Sequence, residues 1–152
     1  MSGDRLSSLP GQPEGEIRHR FPATPEAISR QLADLSRFFA ACGIAPDLRE
    51  KVTVVLGEVL NNIAEHAVPD GRGDVDLVIC PRPDGLHVET VDSGRALPPW
   101  LLTSADLPEM GTTIDDLPEG GFGWFIIHAL VDDMIYERER GRNRLSFSVC
   151  AA

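Results

Sequence analysis

The feature that most constrains this chain is a change of hydrophobic period at Pro69-Asp-Gly-Arg-Gly73. Before it, apolar residues recur every three or four positions. Ile28, Leu32, Leu35, Phe38 and Phe39 mark one helical stripe, and Leu48, Val52, Val55, Val59 and Ile63 mark a second. After it the period is two. Val75–Cys80 and Leu86–Val91 flank Pro81-Arg-Pro-Asp-Gly85, which predicts a hairpin. Helices with one apolar face and strands with one apolar face must cover each other, so the expectation is an α/β two-layer sandwich.

The boundaries have local causes. Thr24 is a helix N-cap with Pro25 in the first helical position, and Gly43 is a left-handed stop. The second helix opens at Ala45-Pro46-Asp47 and runs to about Ala67. Glu16–Phe21 alternates and predicts a first strand; Trp124–Val131 predicts a short apolar helix. Asp133–Glu139 and Arg144–Val149 predict a second hairpin across Arg140–Asn143. The order implies a mixed, mostly antiparallel sheet with helices on one face. Residues 1–15 have the composition of a flexible tail, and 16–150 read as one domain. Ser93 to about Gly123 is a long stretch rich in Pro, Gly, Asp and Thr, which predicts a lid or binding loop.

Fourteen Lys and Arg against 24 Asp and Glu give a formal charge of −10. Binding to nucleic-acid backbone needs a positive surface, so direct nucleic-acid binding is disfavoured. Cys42, Cys80 and Cys150 form no CxxC pair, which suggests neither a disulfide framework nor a zinc site and fits a reducing compartment. No apolar run approaches the roughly 18 residues of a membrane span. A cytoplasmic protein with no membrane partner is expected.

Three short patterns could carry chemistry. Glu58, Asn62 and His66 recur at intervals of four on the second helix and can converge on one ligand, although Asn61, Asn62 and Glu65 also fit a plain solvated face. Asp92-Ser-Gly94 puts a carboxylate at the end of an apolar strand, where it can accept a hydrogen bond from an exocyclic amine. Glu119-Gly-Gly-Phe-Gly123 opens the late helix, and glycines there suit either phosphate or a hinge. There is no G-x-x-x-x-G-K-[ST] and no βαβ frame, so P-loop and Rossmann readings drop out.

Taken in order, these pieces resemble the GHKL ATPase/kinase superfamily. Glu58-Val-Leu-Asn-Asn-Ile-Ala-Glu-His-Ala67 resembles its N box, Asp92-Ser-Gly94 its G1 box and Gly121-Phe-Gly123 its G2 box. The short length, the Glu-His-Ala ending and Val131-Asp-Asp-Met134 look most like the anti-sigma-factor serine/threonine kinases with a histidine-kinase-like ATPase domain. The resemblance implies the Bergerat ATP-binding fold, with ATP and Mg²⁺ as cofactors. By position it implies Glu58 as the catalytic carboxylate, Asn62 as the metal ligand, and Asn62, His66, Asp92, Gly94, Thr113, Gly121 and Gly123 as ATP-binding. It further implies a kinase that phosphorylates a serine on a STAS-domain antagonist and sequesters a sigma factor, and it leaves a homodimer open. The alternatives are a non-catalytic regulator of the same fold, ATP-binding or nucleotide-free, that sequesters its partner and, third, a catalytic domain from a phosphorelay.

The sequence departs from the family pattern in places. Ala96 stands where the G1 box has its last Gly, and no Lys or Arg lies between Ala96 and Glu119. The family often carries Thr beside the adenine-binding Asp, where Asn143 is the candidate stand-in. Arg138, Arg140, Arg142 and Arg144 share one side if alternation runs through the turn, as a docking site for an acidic partner or as a charged, solvated edge. His19, His87 and His128 stand alone and read as structural.

Overall fold

A computed structural model describes residues 16–68, 70–98 and 121–151. The tail at 1–15 and most of the expected lid lie outside the described residues. The chain runs β1 (Ile17–Pro22), α1 (Pro25–Ala41), α2 (Pro46–Asn62), a π-helical turn (Ile63–Ala67), β2 (Asp74–Arg82), β3 (Gly85–Asp92), α3 (Gly121–Leu130), β4 (Asp132–Glu139) and β5 (Arg142–Cys150).

Thr24 caps α1 as its sequence predicts, its Oγ1 accepting from the Ala27 N–H at 3.2 Å. Gly43 ends the helix at φ +77°, and the N–H groups of Cys42 and Ile44 return to the carbonyls of Phe38 and Phe39. The stripes on α1 and α2 face inward: Ile28, Leu35 and Phe39, and Leu48, Val52, Val55, Val59 and Ile63, are all buried. Helix α2 packs against α1, α3 and β5, and Lys51 Nζ donates to the Cys150 carbonyl at 2.8 Å, tying the helical layer to the end of β5.

The sheet has five strands in the order β1-β2-β3-β5-β4. Every described pairing is antiparallel, so the parallel component that a mixed sheet allows does not occur among the described residues. Alternation puts Phe21, Leu77, Val88 and Phe147 into the core under the helices. The opposite face is open and carries Arg18, Arg20, Asp76, Glu89, Arg142 and Arg144.

Both hairpins are tighter than the sequence suggests. Arg82 pairs with Gly85, and Glu139 pairs with Arg142 across Arg140-Gly141. Arg140 and Gly141 have φ of +53° and +74°, the doubly left-handed turn that follows strand twist. Strand β5 therefore starts two residues before Arg144, with Asn143 inside it. A two-residue turn pairs even-numbered positions with odd ones, so the four arginines do not share a side. Arg138 lies opposite Asn143 on the helix-facing side, while Arg142 and Arg144 lie opposite Glu139 and Glu137 on the open face.

Candidate functional site

The site grows from the last turn of α2. Asn62 is 4% exposed, whereas its neighbours Asn61 and Glu65 are exposed, so only part of the polar run forms a solvated face. The Asn62 Nδ2 donates to the Glu58 carbonyl at 2.7 Å, which fixes the amide plane and turns Oδ1 away from the helix backbone. That Oδ1 is buried and has no hydrogen-bond partner. A buried acceptor left unpaired is uncommon and costs desolvation energy unless something else meets it. Glu58, one turn earlier, is half-buried.

Beyond Asn62 the helix widens into the π turn, closed by the Val68 N–H on the Ile63 carbonyl at 2.9 Å. Wider turns of this kind recur at functional sites. The half-buried His66 lies within this turn, so it does not continue the α-helical spacing of Glu58 and Asn62. The turn ends by presenting the Ala67 carbonyl to the strap that follows β3: the Arg95 N–H reaches it at 2.8 Å. Gly94 lies against the same group, where a Cβ would sit 2.2 Å from the Ala67 oxygen and 2.6 Å from its carbon. Only glycine fits there, and the immediate reason is the approach of two backbones.

Asp92 ends β3 on the helix-facing side and is 3% exposed. Its Oδ1 accepts from the Gly94 N–H at 2.8 Å and from Asn143 Nδ2 at 2.9 Å. Oδ2 carries no hydrogen bond among the described residues. Burial pushes the carboxyl above the ordinary aspartate range, while the bonds from Asn143 and Gly94 and the charge of Arg138 pull it back.

Asn143 organises this end. It is 2% exposed and faces Asp92 across the β3–β5 pairing. Its Nδ2 also donates to the Arg95 carbonyl at 2.7 Å. Its Oδ1 accepts from Arg138 Nη1 at 2.8 Å and from the Tyr136 hydroxyl. Two donated and two accepted bonds exhaust an amide. Tyr136 and Arg138 extend the clamp, the first accepting from the Leu97 N–H at 3.2 Å and the second donating to the Gly94 carbonyl at 2.9 Å. Tyr136 and Arg138 carry no motif; the signal that could find them is the two-residue turn, which sets both on the side of Asn143.

The remaining sequence candidates are spread unevenly. Gly121 and Gly123 lie in the first turn of α3, which packs on α2. Thr113 lies outside the described residues. Ala96, where the family pattern has Gly, is exposed. Among the described residues no group of three or more His, Cys, Asp or Glu side chains could hold a metal ion. A metal at Asn62 would therefore take most of its ligands from water and a bound anion, the usual habit of Mg²⁺. An oriented, unpaired amide oxygen fits one position in such a shell.

A five-stranded antiparallel sheet under three helices, with polar groups at the end of α2 and at the end of β3, is the Bergerat architecture of nucleotide-binding domains. Residues 21–149 match the histidine kinase-like ATPase domain, and the chain belongs to that family. It is similar to the serine-protein kinase RsbW of Bacillus mycoides (strain KBAB4), 25% identical over 127 residues that cover 83% of this chain and 79% of the relative. RsbW of Bacillus cereus (strain G9842) matches at the same identity and coverage. In fold it is similar to a chain in the crystal structure of the SiaB-SiaC complex from Pseudomonas aeruginosa, with a TM-score of 0.59, 17% identity and 89% of each chain covered. No helix among the described residues is long and apolar enough to cross a membrane.

Proposed function

We propose that this chain is a cytoplasmic ATP-dependent serine kinase of the anti-sigma-factor type, which phosphorylates a STAS-domain antagonist and sequesters a sigma factor, residues 16–150 forming its one catalytic domain. The observation that carries this reading is the buried, unpartnered Oδ1 of Asn62, one helical turn from the Glu58 carboxylate. The similarity to RsbW kinases supports the choice of a protein serine as acceptor.

In this reading Asp92 Oδ2 accepts from the exocyclic amine of adenine, held in place by Asn143 and Gly94. Gly121 and Gly123 offer backbone N–H groups at the start of α3 to the phosphates, with His66 and Thr113 completing the nucleotide contacts. Asn62 Oδ1 would hold Mg²⁺, which when bound supplies positive charge to the phosphate oxygens. Glu58 takes the proton from the attacking serine hydroxyl, a role for which a half-buried carboxylate is suited.

A second reading has its own observation. The stretch between Ala96 and Glu119 has no Lys or Arg and carries Asp106, Glu109, Asp115, Asp116 and Glu119. A cation over the terminal phosphate stabilises transition-state charge, so its absence from this stretch favours a regulator that binds nucleotide and partner without transfer.

One experiment separates the two. The purified chain is incubated with labelled ATP, Mg²⁺ and a purified STAS-domain protein, and phosphoserine is followed with time. Glu58→Gln is expected to lower transfer at least about 100-fold while ATP binding stays within about threefold. Tight partner binding with no transfer by the wild type would reject the kinase and leave the regulator.

A further inference from the structure

We infer that the groove between the end of the π turn and the strap after β3 docks an acidic peptide segment of a protein partner. The groove is open, about 550 Å³ in volume, and is lined by Ala67, Val68, Asp70, Arg72, Arg95 and Arg138, with Gly94 of the proposed nucleotide site at its edge. The inference rests only on the partner-binding half of the reading above and does not need phosphoryl transfer.

Its charge runs against that of the molecule. The chain as a whole is at −10, yet arginines from three different segments line this groove. Arginines on the open face of the sheet have carboxylates beside them: Arg18 with Glu16 at 2.8 Å, Arg20 with Asp76 at 2.9 Å, Arg144 with Glu89 at 4.0 Å. Arg72, Arg95 and Arg138 have no carboxylate within ion-pair distance among the described residues. The one acid in the groove, Asp70, accepts the backbone N–H of Arg72 at 3.0 Å and so is engaged in its own turn.

The groove is also held in shape. Arg95 is fixed by its backbone on both sides, through Ala67 and Asn143. Arg138 is pinned through Nη1 to Gly94 and Asn143, which leaves its other N–H groups for a ligand. The guanidinium of Arg138 is thus ordered by the fold before any ligand arrives, and a partner need not bear that entropy at this one cation. The size and lining select the class of ligand. A single phosphate would be gripped in a pocket of its own size; this groove is open and about 550 Å³, and its lining joins the buried, apolar Ala67 and Val68 to three arginines. An extended peptide alternating carboxylates with small apolar side chains matches both the arginines and the apolar part of that lining.

The test uses the full chain and a short fluorescein-labelled peptide of alternating Glu and Ala, followed by anisotropy at low and at physiological salt. The double variant Arg72→Glu, Arg95→Glu is expected to bind at least about tenfold more weakly than wild type, with its fold checked by circular dichroism. The control Arg30→Glu, Arg82→Glu changes charge equally on exposed positions elsewhere and is expected to stay within about twofold of wild type. Equal losses in both variants would reduce the effect to net charge and overturn the inference, as would no binding at low salt. Displacement of the peptide by micromolar inorganic phosphate would also overturn it, in favour of a small-anion site. A chain that binds the peptide but not ATP would leave the groove standing and remove the kinase.

Discussion

At the end of β3 and at the end of α2 the chain buries an asparagine, and the two are treated in opposite ways. Asn143 has all four of its hydrogen bonds made by the protein, to Asp92, Arg95, Tyr136 and Arg138. Asn62 has its amide nitrogen bound to the Glu58 carbonyl and its oxygen buried without a partner. The first arrangement closes a clamp around the Asp92 carboxylate, bonding Oδ1 and leaving Oδ2 without a hydrogen bond among the described residues. In the proposed function, that suits recognition of a flat, neutral base. The second leaves an acceptor for whatever the ligand carries in, which suits a charged group accompanied by a cation. One end of the site is finished by folding and the other by binding.

The largest effect that would test this contrast is on stability. Asn143→Ala strands the Tyr136 hydroxyl, the Arg95 carbonyl and part of Arg138 inside the clamp, and is expected to cost about 3 kcal/mol in urea unfolding. A loss below about 1 kcal/mol would mean that the base end is not held by this network. Next comes Asp92→Asn. The amide oxygen can still accept from Gly94 and Asn143, but a donor now stands at the position of Oδ2, so ATP affinity measured by calorimetry is expected to fall about 100-fold with the fold intact.

The same variant has a pH signature. Burial raises the Asp92 pKa on folding, so its contribution to stability is fully present below the unfolded value of about 4 and is lost as pH rises through the higher folded value. Asp92→Asn does not titrate. Its thermal midpoint relative to wild type should therefore climb between acid and neutral pH, and a flat difference would contradict the assignment.

The smallest stability effect is expected at the other end. Asn62→Ala removes one made bond and one unmet acceptor, so unfolding in the absence of ligand should shift by no more than about 1 kcal/mol. The stimulation of ATP binding by Mg²⁺ should fall about tenfold even so. A large loss of stability without ligand would erase the distinction between the two ends.

Much of this architecture is legible in the residues. Thr24, Pro25 and Gly43 act locally, and their sequence signals fix α1 to within a residue or two. The change of period at Pro69–Gly73 separates the helical layer from the hairpins for the same reason, since buried faces repeat at the period of the backbone. The site is less legible because its geometry depends on register. Arg-Gly-Arg-Asn reads as a four-residue connection until the left-handed pair Arg140-Gly141 shortens it, and only then does Asn143 come opposite Asp92. Asn62 and Asn61 are indistinguishable as residue types; one step of about 100° along the helix buries the first and exposes the second. Helix α3 begins at Gly121, three residues before Trp124, because glycines give no hydrophobic period to mark their own helicity.

The π turn at Ile63–Ala67 has a consequence for how this chain is compared with others. It stores one residue more than an α-helical end would use while still delivering Ala67 to Arg95. A relative whose helix stays regular should reach the same strap with one residue fewer. Matching such a sequence to this one would require a single-residue gap between Ile63 and Ala67, whereas relatives that share the ungapped spacing from Glu58 to Ala67 should share the wide turn.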